Sequence, residues 1–526
     1  MASISADSIG YSSRRLFVGV ALLVFTLLLG RNLTRELDSD EHQFIAPLIL
    51  TQRDHLLPYR DFPSNHLPTQ ICLYALLTGW TSYKLLAVRV VATICSTATL
   101  LLLFGAGWRL LAGKRRGERW LVVGGLLVVL ATCRFFTYTS GLGWNHDTAI
   151  LCCLGAYFLF LHGLQTDGLT WIAVAGLLIG TAVGIRLSFI FTFVPFVPVL
   201  LLCPAPLTTR RRLTGLTLAT LAALVALTPT FELWKLAPVR FIFGNVQYSQ
   251  LYMLSDGIHG TFLQNLLAKL GRAAWRFGND PGNLFLLISF FVSVIGLVRR
   301  RAVWWGTERG PALLLLGGLL IAVLIGVMGP TPQQYQYNYA LLPFMLLVVF
   351  HALALEEVDG ASWRRWRIGV AAAALLLGTV GLARWYRGIV DLPFPERWAV
   401  VREHRRGEWL RSYAPQDGRV LTVAPIAPLE GGLHIYPEHN VGYFTLRVAA
   451  FQTAEERKCF GTVAVEDLET VLAEQPPDLV YCPPRSGFED ALAGYAEAHG
   501  YHQVEERDKG YRLWVRPTVS QTRTNN

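Results

Sequence analysis

The feature that most constrains this chain is a series of long apolar segments separated by polar loops. Each is close to the length of about 17–25 residues that lets a helix cross a bilayer. With 52% hydrophobic and only 16% charged residues, the composition excludes a soluble protein of this size. We predict a polytopic α-helical membrane protein with about eleven transmembrane helices. The predicted spans are 16–30, 85–111, 120–137, 148–164, 168–185, 187–203, 213–231, 283–298, 311–329, 340–355 and 368–385.

Lys and Arg concentrate in alternate loops, which predicts how the chain is oriented. Arg14 and Arg15 precede the first span, which lacks the cleavage site of a secretory signal and is therefore expected to be retained with a cytoplasmic N-terminus. An odd number of spans then exports the C-terminus. These clusters also account for the net charge of +10, so no nucleic-acid partner is expected. The clusters on the side of Arg14 are Lys114, Arg115, Arg116 and Arg119, then 210–212, 299–301, and Arg364, Arg365 and Arg367.

From about residue 387 the composition becomes that of a soluble domain. The segments GRVLTVAP, PDLVYCP and YRLWVRP are typical of strands, and VEDLETVLAEQ and FEDALAGYAEAHG are typical of helices. We therefore predict two domains, a transmembrane domain at 1–386 and a small exported α/β domain at 387–526. In an oxidising compartment Cys459 and Cys482 could form a disulfide, which their spacing alone cannot establish.

The outer loop at 31–70 carries the first candidate site. Asp38, Asp40 and Glu41 directly follow the first span, where ionisable groups are costly unless they work at the water boundary. The next residues, 44–49, have the spacing of an amphipathic helix, which we expect to lie in the membrane interface. Asp40 could also be only a solvated carboxylate at the start of that helix.

Other polar residues are predicted to reach the same membrane face. Asn145-His146-Asp147 forms the next outward-facing turn, and His66 precedes a short apolar stretch at 71–80. Arg186 interrupts an apolar run, as either a phosphate contact or an anchor that extends to the interface. The loop at 232–282 mixes aromatic and basic residues, which indicates either an interfacial segment or a plain aromatic belt.

Together these motifs resemble the glycosyltransferase C (GT-C) superfamily, whose members include protein O-mannosyltransferases and lipid A aminoarabinose transferases. The chain departs from the family pattern at Asn338, where members often have Arg, and at Asn65 and His66, where they often have a charged pair. It has no Trp-Trp-Asp-Tyr-Gly motif, which argues against an oligosaccharyltransferase. The matching residues are Asp40-Glu41, Pro58-Tyr59-Arg60-Asp61, Pro68, Asn145-His146-Asp147 and Tyr339-Ala340-Leu341-Leu342-Pro343.

The resemblance implies an inverting transferase of the cell membrane, most simply a bacterial inner membrane. It would move a sugar from a polyprenyl-phosphate donor to a lipid, glycan or protein acceptor on the outer face. A base must take the acceptor proton while charge grows on the phosphate. The implied roles are catalysis for Asp40, Glu41 and Asp147, phosphate binding for Arg60, Arg186 and Tyr339, and ligation of a divalent cation, Mg or Mn, for Asp40, Asp147 and His66.

A transporter or lipid flippase is the alternative, since it would also be polytopic with charges near the membrane. Secondary transporters usually place polar groups near the bilayer midplane on broken helices in repeated halves. The sequence shows neither a repeat nor a pair of carboxylates within a span. A glycosyltransferase therefore agrees better with carboxylates on two outer loops.

Overall fold

The fold was obtained as a computed structural model, which describes residues 11–204, 206–307, 309–330, 333–355, 361–484, 487–504 and 510–517. All eleven predicted spans coincide with helical segments. In the first half of the chain the α-helices are α1 Tyr11–Thr34, α2 His42–Arg53, α3 Thr69–Leu77, α4 Lys84–Leu110, α5 Arg116–Thr132, α6 Arg134–Thr139, α7 His146–Thr166, α8 Leu169–Ile185, α9 Phe196–Leu202 and α10 Thr209–Ala226.

The second half of the helical domain contains both short and long helices. Short 3₁₀ segments at Ser39–Glu41, Leu187–Phe193 and Tyr335–Leu341 precede α2, α9 and α18. The α-helices here are α11 Thr228–Leu236, α12 Pro238–Ile242, α13 Tyr248–Ser255, α14 Phe262–Gly278, α15 Pro281–Arg299, α16 Arg301–Trp304, α17 Arg309–Met328, α18 Leu342–Leu353 and α19 Ala361–Trp385.

Within the described residues, 6 helices are long and apolar enough to cross a membrane, or 8 if each of two bent pairs counts as one span. The remaining predicted spans are short or interrupted. Pro195 separates the 3₁₀ segment Leu187–Phe193 from α9, and α10 bends by 49° into α11. A multi-pass helical architecture is thus confirmed, while the count of about eleven spans stays a prediction.

Small residues allow neighbouring helices to approach closely, as is common in membrane bundles. A side chain at Gly176 or Gly180 of α8 would collide with the backbone of Ala219 or Ala223 on α10. Gly125 of α5 approaches the backbone of α19 in the same way. The close approach of the backbones therefore depends on the absence of side chains at these positions.

The outer loop folds back sharply after the first helix. The segment Ser39–Arg53 lies at 96° to α1, and α2 is a helix where the sequence predicted one. It does not lie open at the interface as expected, because His42 to Leu50 are all buried. Its partners are α3, which is the predicted short apolar stretch, the start of α4, and part of the C-terminal domain.

The C-terminal domain is a five-stranded mixed sheet with flanking helices. The strand order is β2-β1-β3-β5-β4, with β2, β1 and β3 parallel and the other two pairings antiparallel. Cys459 and Cys482 are not bridged: Cys459 is exposed and Cys482 is buried in β3. The elements are α20 Ala399–Arg411, β1 Arg419–Thr422, α21 Ile426–Glu430, β2 His434–Ile435, α22 Tyr443–Ala449, α23 Ala454–Phe460, α24 Leu468–Ala473, β3 Leu479–Cys482, α25 Glu489–Ala498, β4 His502–Val504 and β5 Arg512–Val515.

The sheet domain packs against the outer loops of the helical domain. Arg447 of α22 forms an ion pair with Asp256, just after α13. Asn440 donates a hydrogen bond of 2.9 Å to the carbonyl of Pro63 in the first outer loop. These contacts place one side of the domain beside the loop that carries Asp40.

Candidate active site

The turn that carries Asp40 is built by its own sequence. Asp38 caps the 3₁₀ segment by accepting a hydrogen bond of 3.0 Å from the amide of Asp40. Glu41 accepts a bond of 3.0 Å from the amide of Asp38 in return. This reciprocal arrangement is a capping box, which fixes the direction in which the chain leaves the turn. Asp40, between the two capping residues, is left free to point into the site.

Glu41 is enclosed and supports the turn from behind. It forms an ion pair with Arg89 of α4 at 2.6 and 2.9 Å, and both side chains are completely buried. It also accepts a bond of 2.8 Å from the amide of Gly143. The sequence predicted a catalytic Glu41, but this side chain has no surface through which it could meet a substrate.

Asp40 is half-buried. Its two oxygens accept hydrogen bonds from the side-chain amides of Gln43, at 3.1 Å, and Gln336, at 2.9 Å. Burial, followed by the charge of Asp38, raises the pKa of Asp40 to about 7, against the opposing effect of Arg186. A carboxyl group with a pKa near neutrality is suited to general-base catalysis because it both ionises and holds a proton well.

Arg186 lies where α8 gives way to the 3₁₀ segment Leu187–Phe193. Its guanidinium contacts His146, donates to Asn145 Oδ1 at 3.3 Å and to Ser188 Oγ at 2.9 Å, and lies over the ring of Tyr337 at 4.4 Å. Among the described residues no carboxylate lies within ion-pair distance of it. The described hydrogen-bond partners of Arg186 are thus neutral, which leaves its charge available to an anion.

Consecutive residues of one segment bring Asp40 and Arg186 to the same place. Gln336 binds the Asp40 carboxylate, and the ring of the next residue, Tyr337, lies beneath the Arg186 guanidinium. The segment is the 3₁₀ turn Tyr335–Leu341 before α18. A carboxylate and a cation from distant parts of the chain therefore lie at one site, which is called the pocket below.

His66 belongs to the layer behind Asp40. Its ring stacks on Phe44 at 4.6 Å, and its Nε2 lies 3.1 Å from Gln43 Oε1. Asn65 donates to the same oxygen at 2.7 Å. Burial, followed by the charge of Arg186, lowers the pKa of His66 to about 3, so the ring is neutral. His66 and Asn65 thus orient Gln43, which in turn binds Asp40.

Asp147 joins two segments instead of facing the pocket. It is 2% exposed, and its oxygens accept bonds from the Gly141 amide at 2.7 Å and the Tyr339 hydroxyl at 2.9 Å. Tyr339, predicted to contact phosphate, is completely buried and makes this bond instead. The pair connects the outer end of α7 to the turn before α18.

Two further predictions can be compared with the geometry. Arg60 points outward, paired with Asp61 at 2.7 Å, and none of its described contacts is with the pocket. The set of Asp40, Asp147 and His66 is not gathered into a metal site, and the described residues contain no cluster of three or more His, Cys, Asp or Glu that could hold an ion. With the oxygens of Asp147 already bonded, these residues do not fit the predicted cation.

Sequence reasoning missed several residues of the site. Gln43 and Gln336 carry no chemical signature, whereas Arg89, a lone charge within an apolar run, has the same signal that identified Arg186. Three tyrosine hydroxyls lie close enough to Asp40 to be influenced by its charge. They belong to Tyr443 of α22 and to Tyr248 and Tyr252 of α13. One helix of the C-terminal domain thus lies close to Asp40.

Comparison with protein-family profiles finds no match, and neither does comparison with curated proteins. Solved structures do match. ArnT from Cupriavidus metallidurans bound to undecaprenyl phosphate aligns at a TM-score of 0.56 and 14% identity, over 96% of this chain and 98% of ArnT. Its apo state gives the same score over 97% of ArnT. The Archaeoglobus fulgidus oligosaccharyltransferase aligns at 0.46 and 13% identity, over 94% of this chain and 73% of its own. The likeness to ArnT shows a shared fold along nearly the whole chain.

Proposed function

Because the chain has the fold of a GT-C glycosyltransferase, we propose that it transfers a sugar from a polyprenyl-phosphate donor to an acceptor at the outer membrane face. The observation that carries this proposal is the shared pocket of Asp40 and Arg186. A base and an anion-binding cation are the two groups that such a transfer needs. Undecaprenyl phosphate, which is bound in one of the two ArnT structures, belongs to the same class of lipid.

Asp40 is the base in this proposal. It takes the proton of the acceptor hydroxyl as the acceptor oxygen forms its bond to C1 of the sugar. The C1–oxygen bond to phosphate breaks on the opposite face, and its electron pair leaves with the phosphate, so the configuration at C1 inverts. A carboxyl of pKa near 7 is about half ionised at neutral pH, and the ionised form is ready to accept that proton.

Arg186 binds the phosphate of the donor. Negative charge grows on the phosphate as the sugar leaves, and a positioned guanidinium stabilises that charge more in the transition state than in the ground state. Because its described neighbours are neutral, the positive charge is not already neutralised by a carboxylate. No role is assigned to a metal ion, because the donor set does not fit one.

An apolar cavity along α17 suits the lipid part of the donor. It measures about 760 Å³ and lies between α17 and the segment Leu187–Leu202. Its lining includes Phe191 of the 3₁₀ segment that begins directly after Arg186. An isoprenoid chain could extend along it while its phosphate stays at Arg186. The lining residues include Phe191, Val194, Pro195, Gly318, Ile321 and Ile325.

The test is a transfer assay on the purified full chain. We expect label from a polyprenyl-phosphate sugar to appear in an acceptor from an envelope extract, with release of polyprenyl phosphate, and no transfer from a nucleotide sugar. A flippase would instead move the intact donor across sealed vesicles without cleaving it. Translocation without cleavage would reject the proposal in favour of transport.

A further inference from the structure

The outer end of α4 has no cap of its own. The helix begins at Lys84, and the residue before it, Tyr83, makes no side-chain capping bond. The first amides of a helix lack partners within it and must find acceptors elsewhere. Here the acceptor comes from the C-terminal domain: Glu430 Oε1 accepts a bond of 2.7 Å from the amide of Leu85. A carboxylate is also the favoured charge at a helix N-terminus.

Glu430 is itself held in place. Its other oxygen lies 2.9 Å from His404 Nδ1, and its side chain is completely buried. The His404 ring stacks on Tyr83, with 3.6 Å between ring centroids. The domain thus contacts the start of α4 at two points. Glu430 binds the Leu85 amide, and His404 stacks on Tyr83.

The first turn of α4 is also connected to the turn that carries Asp40. Arg89 lies four residues after Leu85, one turn along the same face of α4. It holds Glu41, and Glu41 closes the capping box around Asp40. An unbroken series of contacts at 2.6–3.0 Å therefore runs from Glu430 through α4 to the turn of Asp40.

We infer that Glu430 is a positioning residue for the transfer reaction, through which the docked C-terminal domain fixes the placement of Asp40. The inference rests on the proposed function. Glu430 touches neither donor nor acceptor. It acts by fixing the first turn of α4, and with it Arg89, relative to the outer loop. Catalysis is sensitive to such placement, because an error of about 1 Å costs up to about 100-fold in rate.

The first test compares three substitutions in the full chain. Glu430→Ala leaves the Leu85 amide without its acceptor, so we expect kcat to fall by about 10-fold or more with little change in KM for the donor. Glu430→Gln keeps an acceptor oxygen and should retain most of the rate. Asp478→Ala removes a comparable carboxylate, bonded to the Arg419 amide at 2.9 Å within the sheet, and should leave kcat unchanged.

Several results would overturn the inference. These are a Glu430→Ala variant with wild-type kcat, equal losses in Glu430→Ala and Asp478→Ala, or a loss that appears only in KM. If Glu430→Ala fails to fold, His404→Phe provides the test, because it keeps a ring against Tyr83 but removes the bond to Glu430. A reduced kcat in that variant is expected, and an unchanged one would reject the inference.

A double-mutant cycle tests the route through α4. Arg89→Lys keeps the charge opposite Glu41 but loses the two-pronged contact. If Glu430 acts through Arg89, the double variant Glu430→Ala/Arg89→Lys should lose less activity than the product of the single losses. Multiplicative losses would reject this route. A wild-type protein without transfer activity would instead refute the proposed function, so the two failures are distinguishable.

Discussion

At the scale of single residues, the site separates one reactive carboxylate from others of the same chemistry. Asp40, Glu41 and Asp147 look alike in the sequence, but only Asp40 keeps an exposed surface in the pocket. Glu41 is bound by Arg89, which is 48 positions away, and Asp147 by Tyr339, which is 192 positions away. Such partners follow from the tertiary fold, so local sequence could identify candidates without assigning their roles.

The pH dependence of transfer follows from the environment of Asp40. The base works only when ionised, so kcat/KM should rise with pH through a midpoint of about 7, and transfer should be lost as Asp40 becomes protonated below it. Asp38→Asn keeps a capping side chain but removes a negative charge, so the midpoint should move to lower pH. An unchanged midpoint in that variant would show that another group controls the profile.

Glu41→Gln should act on stability first. It leaves Arg89 charged and buried without its partner, which typically costs about 3–5 kcal/mol. We expect a clear drop in the thermal unfolding temperature of the purified protein. Glu232→Gln, which affects only the exposed pair with Lys235, should change stability by about 0–1 kcal/mol. A Glu41→Gln protein as stable as wild type would contradict the supporting role of the ion pair.

At the scale of helices, the sequence was informative wherever apolar runs were long. Every predicted span is helical, because a run of Leu, Val and Ala in a membrane satisfies its backbone only within a helix. The environment of α2 could not be predicted. Its amphipathic spacing agreed with a helix at the membrane surface, but α3, α4 and α21 of the C-terminal domain pack around it.

The cavity along α17 provides a test at this scale. Ile321→Trp places a larger side chain in the cavity and should raise KM for a long-chain polyprenyl donor about tenfold. A short-chain donor should be affected little because it does not extend that far. Ile295→Trp on α15 is the control, since Ile295 is 51% exposed and does not line the cavity. Equal effects on both donors would show that the cavity does not hold the lipid chain.

At the scale of the whole molecule, the helical bundle has two chemically different ends. Arg367 forms an ion pair with Glu118 at 2.7 Å, and Arg309 donates to the carbonyl of Ala354, so loops predicted to be cytoplasmic contact one another. The pocket of Asp40 and Arg186 gathers loops predicted to lie outside. Which of the two ends faces the cytoplasm stays a prediction from the distribution of charge along the sequence.

The orientation of the chain is a prediction that reporter fusions can check. A reporter after Gly117 should be cytoplasmic, and one after Asn526 should be outside. Reporters on the same side would contradict an odd number of spans and the export of the C-terminal domain.

The most direct test of the central claim is the transfer rate of three variants with a labelled polyprenyl-phosphate sugar, under conditions in which each is folded. Asp40→Asn keeps size and hydrogen bonding but removes the base, so the rate should fall by about 100-fold or more, with normal expression. Arg186→Gln should fall by a similar factor through loss of phosphate stabilisation, whereas the surface variant Arg60→Gln should retain the wild-type rate. A nearly active Asp40→Asn protein would contradict the account.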